Sequence, residues 1–170
     1  MHFFFWLVLL NPKKIHQYNL AFYLSYLARW PALCLAAVDA HGAVAGYLLA
    51  KTEGEGDLWH GHVTAVAVAP AHRRTGLASS LVAALEAASD AAGCRFVDLF
   101  VRASNAAAIN LYKKRGYSIY RRVLKYYGPA ADGSPAEDAL DMRKALAADP
   151  AGKSVVPLGR DVMPHELEWA

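Results

Sequence analysis

The spacing of apolar residues changes along the chain and divides it into predicted helices and strands. FYLSYLARWP (22–31) carries apolar side chains at helical spacing and ends at a proline, so it predicts a helix. Three short apolar runs follow at 33–38, 43–51 and 62–70, separated by turn residues as in an antiparallel meander. These four segments predict one helix followed by three strands.

The second half of the chain alternates between helical and extended patterns. GLASSLVAALEAASDAAG (76–93) and NAAAINLYKKRG (105–116) predict helices that end on glycine, and Asn105 is a preferred N-cap residue. Three further segments predict strands: RFVDLFVR (95–102), SIYRRVLKYY (118–127) and ALDMRKAL (139–146). Antiparallel strands followed by a β-α-β-α-β order predict an α+β fold with a mixed sheet.

The chain is long enough for one compact domain and too short for two. It has 170 residues, of which 55% are hydrophobic and 19% are charged. We expect a single domain over residues 1–146, with an atypical segment at 1–17, and a surface tail with little structure of its own over 147–170. The apolar run at 3–10 is too short to cross a membrane and no Lys or Arg precedes it, so a buried edge strand or an atypical start explains it best.

Charge and cysteine content narrow the class of function. The net charge of +3 favours an anionic ligand, but the chain lacks the dense Lys/Arg stripe of nucleic-acid-binding proteins. Cys34 and Cys94 form neither a CxxC pair nor a cluster with histidines at metal-ligand spacing. We therefore expect no nucleic-acid or membrane partner, no metal, and a reducing, cytoplasmic setting.

The segment RRTGLA (73–78) is the first candidate for ligand binding. It follows a predicted strand and opens a predicted helix, where unpaired backbone N–H groups and the positive end of the helix dipole can hold a pyrophosphate. The segment lacks the GK[ST] ending of a P-loop and the three-glycine spacing of a dinucleotide fold. Taken alone, such a string is more often a solvated basic helix start than a site.

A second motif favours a ligand-binding role for the first. RRTGLA matches the pattern [Q/R]xxGx[G/A] at Arg73, Gly76 and Ala78, and SNAAAINLYKKRGY carries Asn105 and Tyr112 further along. The two motifs, in this order, resemble the acetyl-CoA site of the GNAT superfamily. The resemblance implies the GNAT acyltransferase fold and acetyl-CoA as co-substrate. The cofactor-binding residues it implies are Val66, Val68, Arg73, Arg74, Thr75, Gly76, Leu77, Ala78, Asn105 and Tyr112.

Three longer stretches resemble the catalytic subunits of NatB complexes within that superfamily. They are WHGHVTAVAVAP (59–70), RFVDLFVRASNAAAINLYKKRGYSIYRRVLKYY (95–127) and EDALDMRKAL (137–146). The resemblance implies acetylation of N-termini that begin with Met followed by Asp, Glu, Asn or Gln, in partnership with a large helical-repeat auxiliary subunit that could act at the ribosome. It weakens at the start of the chain, where the family's Glu-x-aromatic reads HQY (16–18) and only the tyrosine is retained.

Strand periodicity adds a candidate substrate groove. A two-residue period places every second residue from His62 to Val68 on one face of its strand, and every second residue from Phe96 to Arg102 on one face of the next predicted strand. Each face mixes polar with large apolar groups, whereas a fully buried face is expected to be apolar throughout. We therefore predict a ligand groove lined on one side by His62 and Thr64.

The NatB resemblance also assigns residues to the substrate side. Those residues are Tyr18, His62, Thr64, Ala65, Phe100, Asn105, Tyr126 and Tyr127. The simpler interpretations are a satisfied histidine for His62, a core tyrosine for Tyr112, and an aromatic strand end for Tyr126 and Tyr127, whose side chains point to opposite faces. Spacing alone leaves open which of the two adjacent tyrosines contacts substrate more.

The expected reaction is direct attack by the α-amine on acetyl-CoA in a ternary complex. An α-amine has a pKa of about 7.7 to 8.0, so a weak base suffices, and His62 is the candidate, directly or through one water. The backbone N–H of Val66 or Val68 could polarise the thioester carbonyl, and Tyr112 could protonate the departing thiolate.

Three alternatives remain open from the sequence. The chain could be another GNAT enzyme, acting on different N-termini, on lysine or on a small amine. It could also be a non-catalytic GNAT-like binding module, which failure to bind acetyl-CoA would favour. A nucleotide-binding protein that uses RRTGLA is the weakest alternative, because no metal-binding Ser/Thr or Asp motif accompanies that segment.

Overall fold

The computed structural model describes residues 19–129 and 133–167. The helices are α1 (Leu20–Arg29), α2 (Leu77–Ala91) and α3 (Ala106–Lys114). The strands are β1 (Cys34–Val38), β2 (Val44–Glu53), β3 (His60–Val68), β4 (Phe96–Arg102), β5 (Ser118–Tyr127) and β6 (Glu137–Ala145). Every helix and strand predicted within these residues is found, with small shifts at the ends. The apolar run at 3–10 lies outside the described residues.

The described strands form one sheet in the order β1-β2-β3-β4-β6-β5. β1 pairs with β2, and β6 pairs with both β4 and β5, in each case antiparallel. β3 and β4 are neighbours joined through α2, the kind of helical crossover that connects parallel strands. The predicted α+β fold with a mixed sheet is confirmed. None of the helices in the described ranges has the length and apolar character that a bilayer crossing requires.

One compact unit comprises residues 19–51 and 63–88 of the described chain. Its helix α1 begins at the N-cap Asn19, whose side chain accepts a hydrogen bond from the N–H of Phe22 at 2.9 Å. The helix ends before Pro31, as the sequence predicts. The core of the unit is a cluster of buried side chains: Tyr23, Tyr26, Tyr47 and Leu49. The aromatic face of α1 is therefore buried against β2.

The second unit comprises residues 52–62 and 89–167 of the described chain. Its core cluster brings together Val123 of β5, Ala139 of β6 and Val162, with Phe100 and Tyr127 packed against it. The glycines predicted to end α2 and α3 follow those helices with φ angles of 71° and 90°, a backbone conformation that favours glycine.

The segment after Ala147 differs from the tail expected from its composition. Up to residue 167 it contains short 3₁₀ turns and no helix or strand. The N–H of Leu158 donates to the Tyr120 carbonyl and the N–H of Val162 donates to the Arg122 carbonyl, at 2.9 and 3.0 Å. Val162 is buried to 2% exposure. Most of the described residues of this segment are exposed, but these backbone hydrogen bonds attach it to β5. The attachment could not be predicted because such bonds give no periodic signal in sequence. The domain boundary at residue 146 stays a prediction.

Candidate active site

Two histidines and two carboxylates meet at the start of β3. Nδ1 of His62 lies 2.8 Å from Oδ1 of Asp98 on β4, and Nε2 of His60 lies 3.5 Å from the same oxygen. Oε1 of Glu53, the last residue of β2, lies 3.6 Å from Nε2 of His60 and 3.8 Å from Nδ1 of His62. The side chains of His60 and Asp98 are fully buried, and the other two are mostly buried. We call these four residues the histidine–carboxylate cluster.

Strand alternation brings the two histidines to one side of β3. His60 and His62 are two residues apart and share a face, while Gly61 points to the other face, where a Cβ atom would collide with the side chain of Ser89. The ring of His60 stacks on that of Phe96, with centroids 4.7 Å apart and an interplanar angle of 3°. Any larger residue at position 61 would force Ser89 on α2 or the strand that carries both histidines to shift.

Hydrogen bonds determine which nitrogen of each ring carries a proton. Because a carboxylate only accepts, the Nδ1–H of His62 donates to Asp98, and Nε2 of the neutral ring is an acceptor. The Nδ1–H of His60 donates to the carbonyl oxygen of Leu58 at 2.6 Å, so that Nε2 is the atom nearest to Glu53 and Asp98. The two imidazoles therefore present different nitrogen atoms to the carboxylates.

The neighbouring charges shift the acid–base properties of the cluster. Burial alone would lower the pKa of His60, but its hydrogen bond to Glu53 and the charge of Asp98 outweigh burial and raise the pKa above its ordinary value. Burial alone would raise the pKa of Asp98, but the charge and hydrogen bond of His62 outweigh it and lower that pKa. Asp98 is therefore ionised at neutral pH and can orient the His62 ring.

Tyr112 lies on the buried side of α3. Asn105 begins this helix, and its Oδ1 accepts a hydrogen bond from the N–H of Ala108 at 3.1 Å, which confirms the predicted N-cap. Tyr112 is 8% exposed, and its ring meets that of Tyr117 edge to face with centroids 5.5 Å apart. Burial raises the pKa of Tyr112 to about 12, so the phenol keeps its proton at neutral pH. Tyr112 can therefore act as a hydrogen-bond donor.

Aromatic side chains of β4 and β5 lie beside the cluster. The ring of Tyr126 stacks on Phe100 with centroids 4.8 Å apart, and the Phe100 ring lies 5.9 Å from that of His62. The hydroxyl of Tyr127 donates to the carbonyl oxygen of Phe100 at 3.1 Å, and the guanidinium of Arg102 lies 4.2 Å from the centre of the Tyr127 ring. Tyr126 is 37% exposed. Tyr127 is thus tied to β4, and Tyr126 presents more surface to a ligand.

In the first unit, the loop before α2 has a backbone suited to an anion. Gly76 has a φ of 87° and Arg74 a φ of 65°, both in the left-handed region. A Cβ atom added at Gly76 would meet nothing within 4 Å. The N–H of Ser80 donates to the Gly76 carbonyl at 3.0 Å, so the 15-residue helix α2 begins directly after this loop. The first N–H groups of α2 therefore follow an open glycine.

Side-chain hydrogen bonds fix the shape of the same loop. Nε of Arg73 donates to the Val68 carbonyl oxygen at 3.3 Å, and the hydroxyl of Thr75 donates to the His72 carbonyl oxygen at 2.7 Å. Both bonds join the loop to the chain that leads into it from β3. The loop is therefore held by its own residues.

The sequence from residue 3 to residue 117 matches the sequence model of the "Acetyltransferase (GNAT) family". The chain belongs to this family. It is 53% identical over 153 residues to the "N-terminal acetyltransferase B complex catalytic subunit NAA20" of Arabidopsis thaliana, which covers 89% of this chain and 84% of that protein.

Two solved structures extend the likeness to three dimensions. The Chaetomium thermophilum Naa20 in complex with a bisubstrate analogue is 44% identical, with a TM-score of 0.81, over 92% of this chain and 88% of that one. A NatB acetyltransferase complex bound to CoA and MES is 40% identical, with a TM-score of 0.72, over 84% of this chain and 93% of that one. The GNAT fold predicted from the sequence is confirmed.

The remaining residues predicted for this GNAT site lie on β3 and at the start of α2. The hydroxyl oxygens of Thr64 and Tyr26 lie 2.9 Å apart, and Ala65 packs against the aromatic core beside α1. Four of the residues predicted to bind the cofactor are partly exposed: Val66, Val68, Leu77 and Ala78. Tyr18 lies outside the described residues. The structure thus places His62 beside Phe100, on which Tyr126 stacks, and Thr64 beside Tyr26.

Sequence reasoning gave no site role to three members of the histidine–carboxylate cluster. Glu53, His60 and Asp98 come from three different strands, and only the two histidines of WHGH were visible as a local pattern. On the face of β4 that mixes polar and apolar residues, Phe100 and Arg102 are partly exposed, as predicted, whereas Phe96 and Asp98 are buried. Asp98 has 0% exposure there, because His62 satisfies its charge within the fold.

Proposed function

We propose that this chain is the catalytic subunit of a NatB-type N-terminal acetyltransferase. It transfers an acetyl group from acetyl-CoA to the α-amine of chains that begin Met-Asp, Met-Glu, Met-Asn or Met-Gln. The observation that carries the proposal is 53% identity over most of the chain to a NatB catalytic subunit. The CoA and bisubstrate analogue bound to the solved relatives support acetyl-CoA as the co-substrate.

His62 is the base in this proposal. The pKa of an α-amine is about 7.7 to 8.0, so a minority is already neutral at pH 7 and a weak base, acting directly or through one water, completes the task. Nε2 is the atom that takes the proton, because Nδ1–H is bonded to Asp98. The carboxylate of Asp98 then stabilises the imidazolium, as the buried aspartate does in a Ser-His-Asp triad.

Fixed donors stabilise the charges that develop on the thioester. The backbone N–H of Val66 or Val68 faces the oxyanion, and Tyr112 donates to the departing sulfur. A phenol with a pKa of about 12 is a weaker acid than a thiol with a pKa of about 8.5, so complete proton transfer costs about 5 kcal/mol. Hydrogen-bond donation to the thiolate is therefore the contribution that we assign to Tyr112.

The loop at 73–76 holds the pyrophosphate of acetyl-CoA. Its left-handed glycine leaves open space beside the first N–H groups of α2, and the exposed side chain of Arg74 adds positive charge. Further contacts to the cofactor come from the other residues that the resemblance assigns to it: Arg73, Thr75, Leu77, Ala78 and Asn105. The amide nitrogen of Asn105 is the atom available for this role, because Oδ1 caps α3.

His62 and Thr64 recognise the second residue of the substrate peptide. The other residues that line the peptide groove are Tyr18, Ala65, Phe100, Asn105, Tyr126 and Tyr127. Neutral His62 offers Nε2 as an acceptor, which suits the amide N–H of Asn or Gln, whereas a carboxylate needs the protonated ring. The Thr64 hydroxyl shares one hydrogen bond with Tyr26 and retains a second position for substrate. Of the two tyrosines, the more exposed Tyr126 makes the larger contact.

The chain acts as part of a NatB complex in the cytoplasm. An auxiliary subunit built of helical repeats binds it and brings it to nascent chains at the ribosome. The solved relative named as a NatB complex supports the existence of such a partner.

A peptide panel tests the proposed function. Peptides beginning Met-Asp, Met-Glu, Met-Asn, Met-Gln, Met-Leu, Ser-Asp and acetyl-Met-Asp-Lys would be assayed with acetyl-CoA, with and without the auxiliary subunit from a relative. The first four should be acetylated at least about tenfold faster than the rest. Preference for Met-Leu or for the lysine peptide would assign the chain to another GNAT class, and failure to bind acetyl-CoA would make it a binding module.

A further inference from the structure

The donor atoms of the histidine–carboxylate cluster form a closed ring. Going around it, Nε2 of His60, Oε1 of Glu53, Nδ1 of His62 and Oδ1 of Asp98 are separated by 3.6, 3.8, 2.8 and 3.5 Å. Each residue offers one atom that can bind a metal ion, and the atoms of Glu53, His60 and His62 all lie within 4.8 Å of one another. Glu53, His60 and His62 are therefore close enough to share one ion, and Asp98 lies beside both histidines.

Zinc geometry fits these separations. Zn–N bonds of about 2.0 to 2.1 Å and Zn–O bonds of about 2.0 to 2.2 Å, in a tetrahedron, place neighbouring ligand atoms about 3.4 Å apart. Three of the four separations lie within about 0.4 Å of that value, and the fourth is the His62 to Asp98 hydrogen bond, which opens when a metal replaces its proton. Two imidazoles and two carboxylates also neutralise a divalent cation.

The environment of His60 supplies a second, independent argument. A histidine that binds a metal almost always donates its other ring N–H to a backbone carbonyl or a carboxylate. His60 does so through Nδ1 to Leu58, and its buried Nε2 then faces two carboxylates. The proton on this nitrogen interacts with both carboxylates, and a metal ion at the same position would interact with the same two groups.

We propose that Glu53, His60, His62 and Asp98 form a site for Zn²⁺ whose occupation inhibits the enzyme. At His62 the ion takes the place of the proton on Nδ1, and that proton moves to Nε2 of the same ring. At His60 the ion takes the place of the proton on Nε2, which is released to solvent. The positive charge of Arg143 on β6 also acts on Asp98 and limits the affinity for a cation. The binding site stands on the cluster alone, whereas the inhibition rests on the proposed role of His62.

Inhibition follows from the loss of the Asp98 hydrogen bond. Once Nδ1 of His62 is bound to the metal, the carboxylate no longer accepts from that ring, and the imidazole cannot take a second proton without releasing the ion. Zinc would thus remove the base of the proposed reaction while leaving the acetyl-CoA loop of the other unit unchanged. Inhibition should lower kcat and leave the KM for acetyl-CoA unaffected.

Calorimetric titration of the metal-free protein with Zn²⁺ in the presence of a weak chelator tests the site, and Co²⁺ replaces zinc for absorption spectroscopy. We expect one equivalent to bind, a heat that varies with the ionisation enthalpy of the buffer, and the intense visible bands of tetrahedral Co²⁺. Glu53→Gln keeps the shape of the side chain and should weaken binding at least roughly tenfold. His60→Gln should do the same, but it alters a buried residue, so Glu53→Gln is the primary variant.

Two controls separate this site from other metal-binding residues. His72→Gln removes a histidine that also lies near a carboxylate, with its Nε2 3.6 Å from Asp39, and it should bind zinc like the parent. Cys34→Ser removes a partly exposed thiol and should likewise have no effect. Unchanged zinc affinity in Glu53→Gln would overturn the site. If Glu53→Gln loses tight zinc binding but zinc does not inhibit the parent enzyme, the metal site is retained and the role of His62 as the base is overturned.

Discussion

The carboxylate of Asp98 accepts a hydrogen bond from Nδ1 of His62 at 2.8 Å, although the two residues are 36 positions apart. The side chain of Asp98 is fully buried, whereas that of His62 keeps 13% exposure. A buried carboxylate therefore holds a ring that solvent can reach. This contact decides which nitrogen of His62 faces a substrate, and it makes the first prediction possible.

Asp98→Asn should slow acetyl transfer by roughly tenfold or more while the protein stays folded. The amide still fills the space, but it can donate to Nδ1 as well as accept, so the ring is no longer held in one tautomer and its imidazolium loses a compensating charge. The measurement is kcat with saturating acetyl-CoA, alongside thermal unfolding. A kcat within twofold of the parent would show that Asp98 only supports the structure.

His62→Ala should lower kcat/KM for Met-Asp peptides by roughly 10- to 150-fold, the equivalent of about 1.5 to 3 kcal/mol for a hydrogen bond to a charged group. The informative quantity is the ratio of Met-Asp to Met-Leu peptides. A collapsed ratio supports recognition of the second residue by His62. A uniform loss with the ratio preserved would leave His62 as a base and assign selectivity to other residues of the groove.

Tyr112→Phe should reduce kcat by roughly 10²- to 10³-fold, the effect of removing one donor to a developing negative charge. Acetyl-CoA affinity should scarcely change, because the ring and its contact with Tyr117 remain. Tyr117→Phe is the matched control, since its hydroxyl is also buried and its ring belongs to the same pair. Equal losses in the two variants would return Tyr112 to a structural role.

Gly76→Glu should abolish acetyl-CoA binding in calorimetry, because a side chain there would occupy the space for the pyrophosphate and repel it. The change also places a non-glycine residue at a φ of 87°, which strains the loop by itself. Gly42→Glu supplies the matched control: its φ is 78°, and it too has nothing within 4 Å of an added Cβ atom. The control should lose similar stability and keep its acetyl-CoA affinity. Equal loss of affinity in both variants would refute the assignment.

Asp149→Asn should destabilise the protein by about 1 to 2 kcal/mol at pH 7. Asp149 accepts hydrogen bonds from the N–H groups of Lys153 and Ser154 at 3.1 and 2.7 Å, and an amide replaces one of these acceptors with a donor. Burial alone would raise the pKa of Asp149, but these hydrogen bonds outweigh it and lower the pKa below its ordinary value.

The sign of the pH effect follows from that lowered pKa. The contribution of Asp149 is fully present above the pKa of an unfolded aspartate, about 3.9, and is lost as the pH falls through the folded value. The difference in unfolding free energy between parent and variant should therefore shrink as the pH falls below about 4. A constant difference across that range would show that the ionised form of Asp149 has no special stabilising role.

The fold could be predicted from sequence because its signals are local. Apolar periodicity located α1, and the asparagine before α3 acts as the N-cap that its residue type suggests. The histidine–carboxylate cluster could not be found in this way, since Glu53 and Asp98 reach His60 only through the pairing order and register of three strands. The difference between Tyr126 and Tyr127 depends on a hydrogen bond to the backbone of another strand, which spacing cannot reveal.

The chain after Ala147 covers the outer edge of β5, which matters for synthesis and solubility. β5 is the last strand in the order of the described sheet, and its outer edge would otherwise offer unpaired N–H and C=O groups to another molecule. Val162 pairs with Val123 as an isolated parallel bridge, and its carbonyl accepts a hydrogen bond from Leu124. A growing polypeptide must therefore emerge past residue 162 before this edge is covered, and a shortened protein would expose a ready template for strand-to-strand aggregation.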